Sequence, residues 1–283
     1  MSNLLEVTHL SVSFGSVRAL ADVDLVVPEG QLVGLIGPNG AGKTTFIDAV
    51  TGFVPSSGQV VFDGQNLSAE PPHARSRRGL ARTWQTIELF DDLTVRENLV
   101  VAARRPSLQQ SLAEVVLGRR SPIADEVGYA LRILELDDVA DRMPSELSQG
   151  QRKLVGVARA LAGRSKMIML DEPASGLDTT ESQHLGRQLR RVVDEGIAML
   201  LVDHDMGLVL NICDAVYVID FGKMLAHGAP EQVRTNPDVL RAYLGGPADN
   251  SEAAVAAEPA MSATPAGPAG LAGPADSLGG EAR

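Results

Sequence analysis

Eight consecutive residues, Gly37-Pro38-Asn39-Gly40-Ala41-Gly42-Lys43-Thr44, satisfy the pattern G-x-x-x-x-G-K-[ST]. Their types suit one task, holding the phosphates of a nucleoside triphosphate. Glycines let backbone N–H groups curl around an anion with no Cβ in the way. The loop opens a helix, whose N-terminus favours negative charge. Lys43 brings a point charge to the β- and γ-phosphates. The Thr44 hydroxyl is a ligand for Mg²⁺, and Thr45 reaches the α-phosphate. A second cluster, Met167-Ile168-Met169-Leu170-Asp171-Glu172-Pro173, is an apolar run ending in two acids. Asp171 is placed to hold Mg²⁺, directly or through water. Glu172 is placed to orient or deprotonate an attacking water.

Both clusters need rigid supports. Leu32-Val33-Gly34-Leu35-Ile36 reads as a strand delivering the chain to the glycine loop, and a helix of about ten residues starts at Lys43. Residues 1–36 carry strand patterning, with near alternation from Leu5 to Phe14 and a short run at Leu25-Val26-Val27. Val60 to Gly64 marks a hairpin end. The middle, about 90–162, has helical patterning at 94–104, 109–118, 125–136 and 150–162. Strand and helix then alternate over 166–170, 179–195, 197–202, 206–212 and 215–219, the signature of βαβ units around a parallel sheet. The fold expected is α/β, a P-loop NTPase core with an antiparallel β subdomain and an inserted helical subdomain at about 90–162. Residues 247–283 are mostly Ala, Gly, Pro and Ser, without apolar periodicity. They are expected to form a disordered tail beyond a domain spanning 1–246.

The 283 residues carry 25 basic and 36 acidic side chains, a formal net charge of −11, which argues against a general nucleic-acid partner. The basic clusters Arg75-Ser76-Arg77-Arg78 and Arg104-Arg105 read as solvated surface charge. A lone cysteine, Cys213, excludes an internal disulfide and reads as a small buried hydrophobe at a helix-to-strand junction. The N-terminus has no signal-peptide pattern, and the longest apolar run, Ile197 to Val202, is far below the ~20 residues that span a bilayer. A transport role therefore requires a membrane path from other chains.

Four further motifs narrow the field. Leu147-Ser148-Gln149-Gly150-Gln151 resembles the signature motif of ATP-binding-cassette (ABC) proteins. Gln85, in Arg82-Thr83-Trp84-Gln85, resembles the family's Q-loop. Ser175-Gly176-Leu177-Asp178 resembles the D-loop, and His204, just after Met199-Leu200-Leu201-Val202, resembles the switch histidine. Together with the phosphate loop and acidic strand end, they follow the family's order across 37–204.

The resemblance implies ATP and Mg²⁺ as ligands and a head-to-tail dimer that sandwiches two nucleotides. In it, Ser148, Gly150 and Gln151 of one cassette, with Asp178, face the nucleotide of the other. His204 reaches the γ-phosphate, and Gln85 contacts Mg²⁺ or the attacking water. Two positions depart from the family pattern. Gln149 stands where glycine is commonest. The adenine-stacking aromatic, usually tyrosine, is best matched by Phe14, whose alternative is an ordinary core position.

The stretches Arg82 to Phe90, Leu93 to Leu99, Asp203 to Met206, Gly228 to Gln232 and Asn236 to Gly245 resemble branched-chain amino-acid importer ATPases. That implies two transmembrane permease subunits, a sister ATPase or a second copy of this chain, an extracytoplasmic binding protein, and residence at the cytoplasmic face of the inner membrane. The alternatives are a urea or amide importer, a lipopolysaccharide-extracting exporter and, more remotely, a soluble cassette ATPase acting on DNA or ribosomes.

Overall fold

Leu32–Ile36 (β3), Met167–Asp171 (β7) and Ala198–Val202 (β8) are buried at every position. Such runs belong to parallel strands covered on both faces. A computed structural model describes residues 2–83, 88–103 and 122–244. The remaining elements are β1 (Asn3–Phe14), β2 (Val17–Pro28), α1 (Lys43–Thr51), β4 (Ser57–Phe62), β5 (Gln65–Asn66), α2 (Pro72–Arg77), β6 (Leu80–Thr83), α3 (Val95–Ala103), α4 (Pro122–Ile133), α5 (Gln149–Ala162), α6 (Thr179–Asp194), α7 (Met206–Ile212), β9 (Ala215–Asp220), β10 (Lys223–Gly228), α8 (Pro230–Arg234) and α9 (Pro237–Leu244). Met1–Gly246 forms one compact unit. The tail from 247, the helix expected at 109–118, Arg104-Arg105 and Gln85 lie outside the described residues.

The core sheet has the order β10-β9-β3-β8-β7-β6. Its pairs β3–β9, β3–β8, β7–β8 and β6–β7 are parallel, and only the edge pair β9–β10 is antiparallel. Period-two alternation divides the interior. Ile168, Leu170, Met199 and Leu201 point into a core shared with the helices α3 to α6. Met167, Met169, Leu200 and Val202 point into a second core with α1 and the antiparallel sheet β2-β1-β4-β5. Phe46 and Ile47 of α1 are fully buried there. Burial of a side chain of that size stabilises by about 1.5–3 kcal/mol. The helix behind the phosphate loop is thus clamped between two sheets.

Every element read from the sequence in the described residues is present, within a few residues. The P-loop NTPase class holds, with the antiparallel sheet on one side and α3, α4 and α5 between β6 and β7. Cys213 is buried at the end of α7, and burial pushes its thiol well above its ordinary range. One expectation fails. Arg75 is not solvated: it is 4% exposed. Its guanidinium donates to the carbonyls of Ala49 and Val50 at the C-terminus of α1, and to those of Glu70 and Ser68. Unsatisfied carbonyls at a helix end attract a cation, and this arginine sits 25 residues from the carbonyl of Val50 along the chain. Arg77 and Arg78 are exposed as expected, with Arg78 paired to Glu70.

A buried asparagine fixes the segment that leads into the helices. Asn98 is fully buried; its amide nitrogen donates to the carbonyls of Phe90, Leu93 and Thr94, and its oxygen accepts from the Phe90 N–H. Asn98→Ala removes the partner of the Phe90 N–H and of the Leu93 carbonyl, while the Phe90 and Thr94 carbonyls keep the N–H groups of Leu93 and Asn98. It should cost about 3 kcal/mol and lower the Tm by roughly 10 °C, measured by thermal denaturation. A shift within 2 °C of the native protein, ~0.5–1 kcal/mol, would show that the loop does not depend on it.

Candidate active site

The phosphate loop connects β3 to α1, and its shape is dictated sterically. A Cβ on Gly37 would lie 2.1 Å from the Ile219 carbonyl oxygen. Gly42, the residue before α1, has φ +105°, and no side chain caps the helix there. The first-turn N–H groups of α1 are therefore left for an anion. Two backbone bonds hold the turn: Ala41 N–H to the Pro38 carbonyl, 3.1 Å, and Gly222 N–H to the Ala41 carbonyl, 3.0 Å. Asn39 and Gly40 lie exposed at the crest, with Thr44 exposed and Thr45 half-buried in the first turn of α1.

Lys43 is buried. Its ammonium donates to the carbonyls of Gly37 at 2.8 Å and Pro38 at 3.0 Å, folded back under the loop. Burial lowers its pKa, opposed by the carboxylates of Glu172, Asp171 and Asp203. The glycine loop, the end of β7 and the end of β8 thus converge at the C-terminal edge of the sheet, where ligands of open α/β folds bind.

Asp171 closes β7 and is buried. Burial raises its pKa, and the Arg82 guanidinium, 3.0 Å away, pulls it back. Arg82 also pairs with Asp48 of α1, so one arginine on β6 ties the phosphate-loop helix to the acidic strand end. Glu172 adopts φ +46°, a left-handed conformation unusual for a glutamate, and its N–H donates to the Val202 carbonyl at 2.7 Å. Strain of this kind is tolerated where the surroundings over-determine it. The His204 Nδ1 lies 3.8 Å from Glu172 Oε2 and 3.6 Å from Asp203 Oδ1. Its ring is 55% exposed, open to a ligand from outside.

Asp203 is the functional-site residue that sequence reasoning missed. It is 0% exposed. One oxygen accepts the N–H groups of His204 (2.8 Å) and Asp205 (3.0 Å); the other accepts that of Ala174 (3.2 Å). A single buried carboxylate so fixes the turn that carries His204 and the turn after Glu172. The available signal was an acid directly after the apolar run Met199 to Val202.

The signature residues form a second group. Ser148 is exposed at the start of α5; its hydroxyl oxygen accepts the Gln151 N–H, and the Gln151 side chain accepts the Ser148 N–H, a reciprocal cap. The capped hydroxyl keeps its own proton to donate outward. Gly150 faces Glu181, and Asp178 accepts the Glu181 N–H as the cap of α6. Gln149, where the family commonly has glycine, fills the space against Gly176 and donates to the Ser175 carbonyl at 3.5 Å. Phe14 ends β1 with 52% of its surface exposed, which sets aside the core alternative. Gln85 lies outside the described residues.

Among the described residues no group of three His, Cys, Asp or Glu side chains could cage a metal ion. One buried carboxylate, Asp171, and the exposed Thr44 hydroxyl suit a magnesium ion that keeps waters and arrives with nucleotide phosphates. Among the same residues no helix is long and apolar enough to cross a membrane.

Asp203→Ala would leave the buried Ala174 N–H and the part-buried N–H groups of His204 and Asp205 without this acceptor. It should destabilise the fold by about 3 kcal/mol or more, read as a lowered denaturation midpoint. An unchanged midpoint would show that the two turns hold without it.

Residues 20–175 match the family described as ABC transporter, and residues 223–249 match the one described as branched-chain amino acid ATP-binding cassette transporter. The high-affinity branched-chain amino acid transport ATP-binding protein BraF of Pseudomonas aeruginosa is 40% identical over 250 residues, covering 86% of this chain and 98% of that protein. Its counterpart LivG of Escherichia coli K12 is 39% identical over 249 residues, with the same coverage. A solved ATP-binding cassette of an ABC transporter, in its ADP conformation, superposes with a TM-score of 0.77 at 30% identity, covering 87% of this chain and 100% of that one. The chain belongs to the ABC transporter family, as an ATP-binding cassette ATPase of a membrane transporter.

Proposed function

We propose that the chain powers import of branched-chain amino acids through separate permease subunits, by closing on ATP with a second cassette and reopening after hydrolysis. The observation that carries the substrate class is the match of 223–249, the segment beyond the general cassette, to a branched-chain family. Relatives of nearly full coverage bearing that activity in their names support it.

The N–H groups of Gly40 to Thr45 cradle the phosphates. Lys43 turns from the carbonyls of Gly37 and Pro38 towards the β- and γ-phosphates, and the adenine stacks on Phe14. Asp171, Thr44 and Gln85 would hold Mg²⁺, which would neutralise phosphate charge. Glu172 accepts the proton of the water that attacks the γ-phosphorus; the bond to the bridging oxygen breaks, and ADP and phosphate leave. His204 donates to the γ-phosphate.

Ser148, Gly150 and Gln151 serve the nucleotide of the opposite cassette, a second copy or a sister chain, with Asp178 at the same interface. The γ-phosphate is then the link whose loss opens the pair. The segment 88–94, hung on Asn98 and on Arg159, whose guanidinium lies 5.2 Å from the exposed Phe90 ring, carries that change to a cytoplasmic helix of the permease. The permeases receive substrate from an extracytoplasmic binding protein, and the cassette works at the cytoplasmic face of the inner membrane.

Uptake of labelled leucine, in cells carrying the native chain or Lys43→Ala, tests this. The variant should lose at least nine-tenths of the uptake, and unlabelled isoleucine and valine should compete in native cells where urea does not. Unchanged uptake in a strain freed of other leucine carriers, or competition by urea alone, would reject the branched-chain reading.

A further inference from the structure

One guanidinium joins the elements that carry the proposed metal ligands. Thr44 and Asp48 stand one helical turn apart on the same face of α1. Asp171 closes β7. Arg82 lies on β6, the strand that pairs with β7 and leads, along the sequence, to Gln85. Its side chain is 6% exposed. Nη1 donates to Asp48 Oδ1, and Nη2 donates to Asp171 Oδ2 at 3.0 Å. The Phe53 ring, just beyond α1, lies 5.9 Å from its Cζ. Neither Arg82 nor Asp48 has a part in the mechanism above.

A buried ion pair adds little net stability over an apolar alternative. What it does supply is geometry, because a planar fork holds two carboxylates at a set separation. Here the two carboxylates belong to different elements, and Asp48 is one turn from Thr44. Fixing Asp48 against Asp171 therefore fixes Thr44 against Asp171.

We propose that Arg82 is a positioning residue for the Mg²⁺ site: by bridging Asp48 and Asp171 it sets the span between Thr44 and Asp171, and so the metal affinity of the nucleotide complex. Asp171 Oδ2 is engaged by the arginine, which leaves Oδ1 to the metal or its water. The charge of Arg82 alone works against the site, since a cation beside a metal ligand repels a second cation.

The inference rests on residues 37–44 binding nucleotide, which mant-ATP binding to the native full-length chain in EDTA checks by itself. Mn²⁺, standing in for Mg²⁺, is titrated into the stoichiometric AMP-PNP complex, and free Mn²⁺ is read by EPR. Arg82→Lys keeps the charge and loses the fork. Asp48→Ala cuts the bridge at its more exposed end, where the side chain is 26% exposed and alanine suits the helix. Each should weaken Mn²⁺ about 10-fold or more, with mant-ATP affinity in EDTA held within about twofold. The double variant should be little worse than either single one, because both break the same bridge. Native Mn²⁺ affinity in either single variant overturns the proposal; in Arg82→Lys it would show that charge acts and the fork does not. Equal loss of mant-ATP in EDTA would also overturn it, by showing that Arg82 and Asp48 support the phosphate loop and not the metal.

Discussion

An uncapped helix start at the edge of a buried parallel sheet is the constraint from which the rest of the molecule follows. Gly42 provides no side chain to satisfy the first turn of α1, and free N–H groups there are a standing demand for an anion. The demand is useful only if the helix cannot shift. That is the task of the two sheets, which bury Phe46, Ile47, Ala49 and Val50, and of Arg75, which closes the other end of the same helix. The loop is held as firmly, by the Ile219 carbonyl at Gly37 and by Gly222 at Ala41.

Around this fixed anion site lies an excess of acid. Asp171, Glu172 and Asp203 stand at the ends of two neighbouring strands, and each has a different partner. Arg82 compensates Asp171. Backbone N–H groups compensate Asp203, which is wholly buried. Glu172 retains partial exposure and His204 as its neighbour. Three carboxylates of one charge so sit in three different environments within two adjacent strand ends. Lys43 is folded onto its own loop, donating to the carbonyls of Gly37 and Pro38.

The catalytic chemistry was legible in the sequence because local spacing encodes it. A glycine loop between a strand and a helix, and two acids after an apolar run, each occupy under ten residues. The parallel core was legible for the same reason: β3, β7 and β8 are continuous apolar runs. What escaped notice depends on distant partners. Arg75 looks like surface charge until the carbonyls of Ala49 and Val50 are brought to it. Arg82 looks like a motif flank until Asp48 and Asp171 meet it, and Asp203 looks like an acid beside the histidine until the Ala174 N–H arrives from the turn after β7.

On the proposed mechanism Glu172, strained and half-sheltered just after β7, activates water for a nucleotide that the loop binds independently. Parallel measurement of ATP turnover and ATP affinity in Glu172→Gln tests it most directly. Loss of the base should lower turnover about 100-fold or more while affinity for ATP is kept or increased. Turnover near the native rate, with ATP bound normally, would show that another group activates the water.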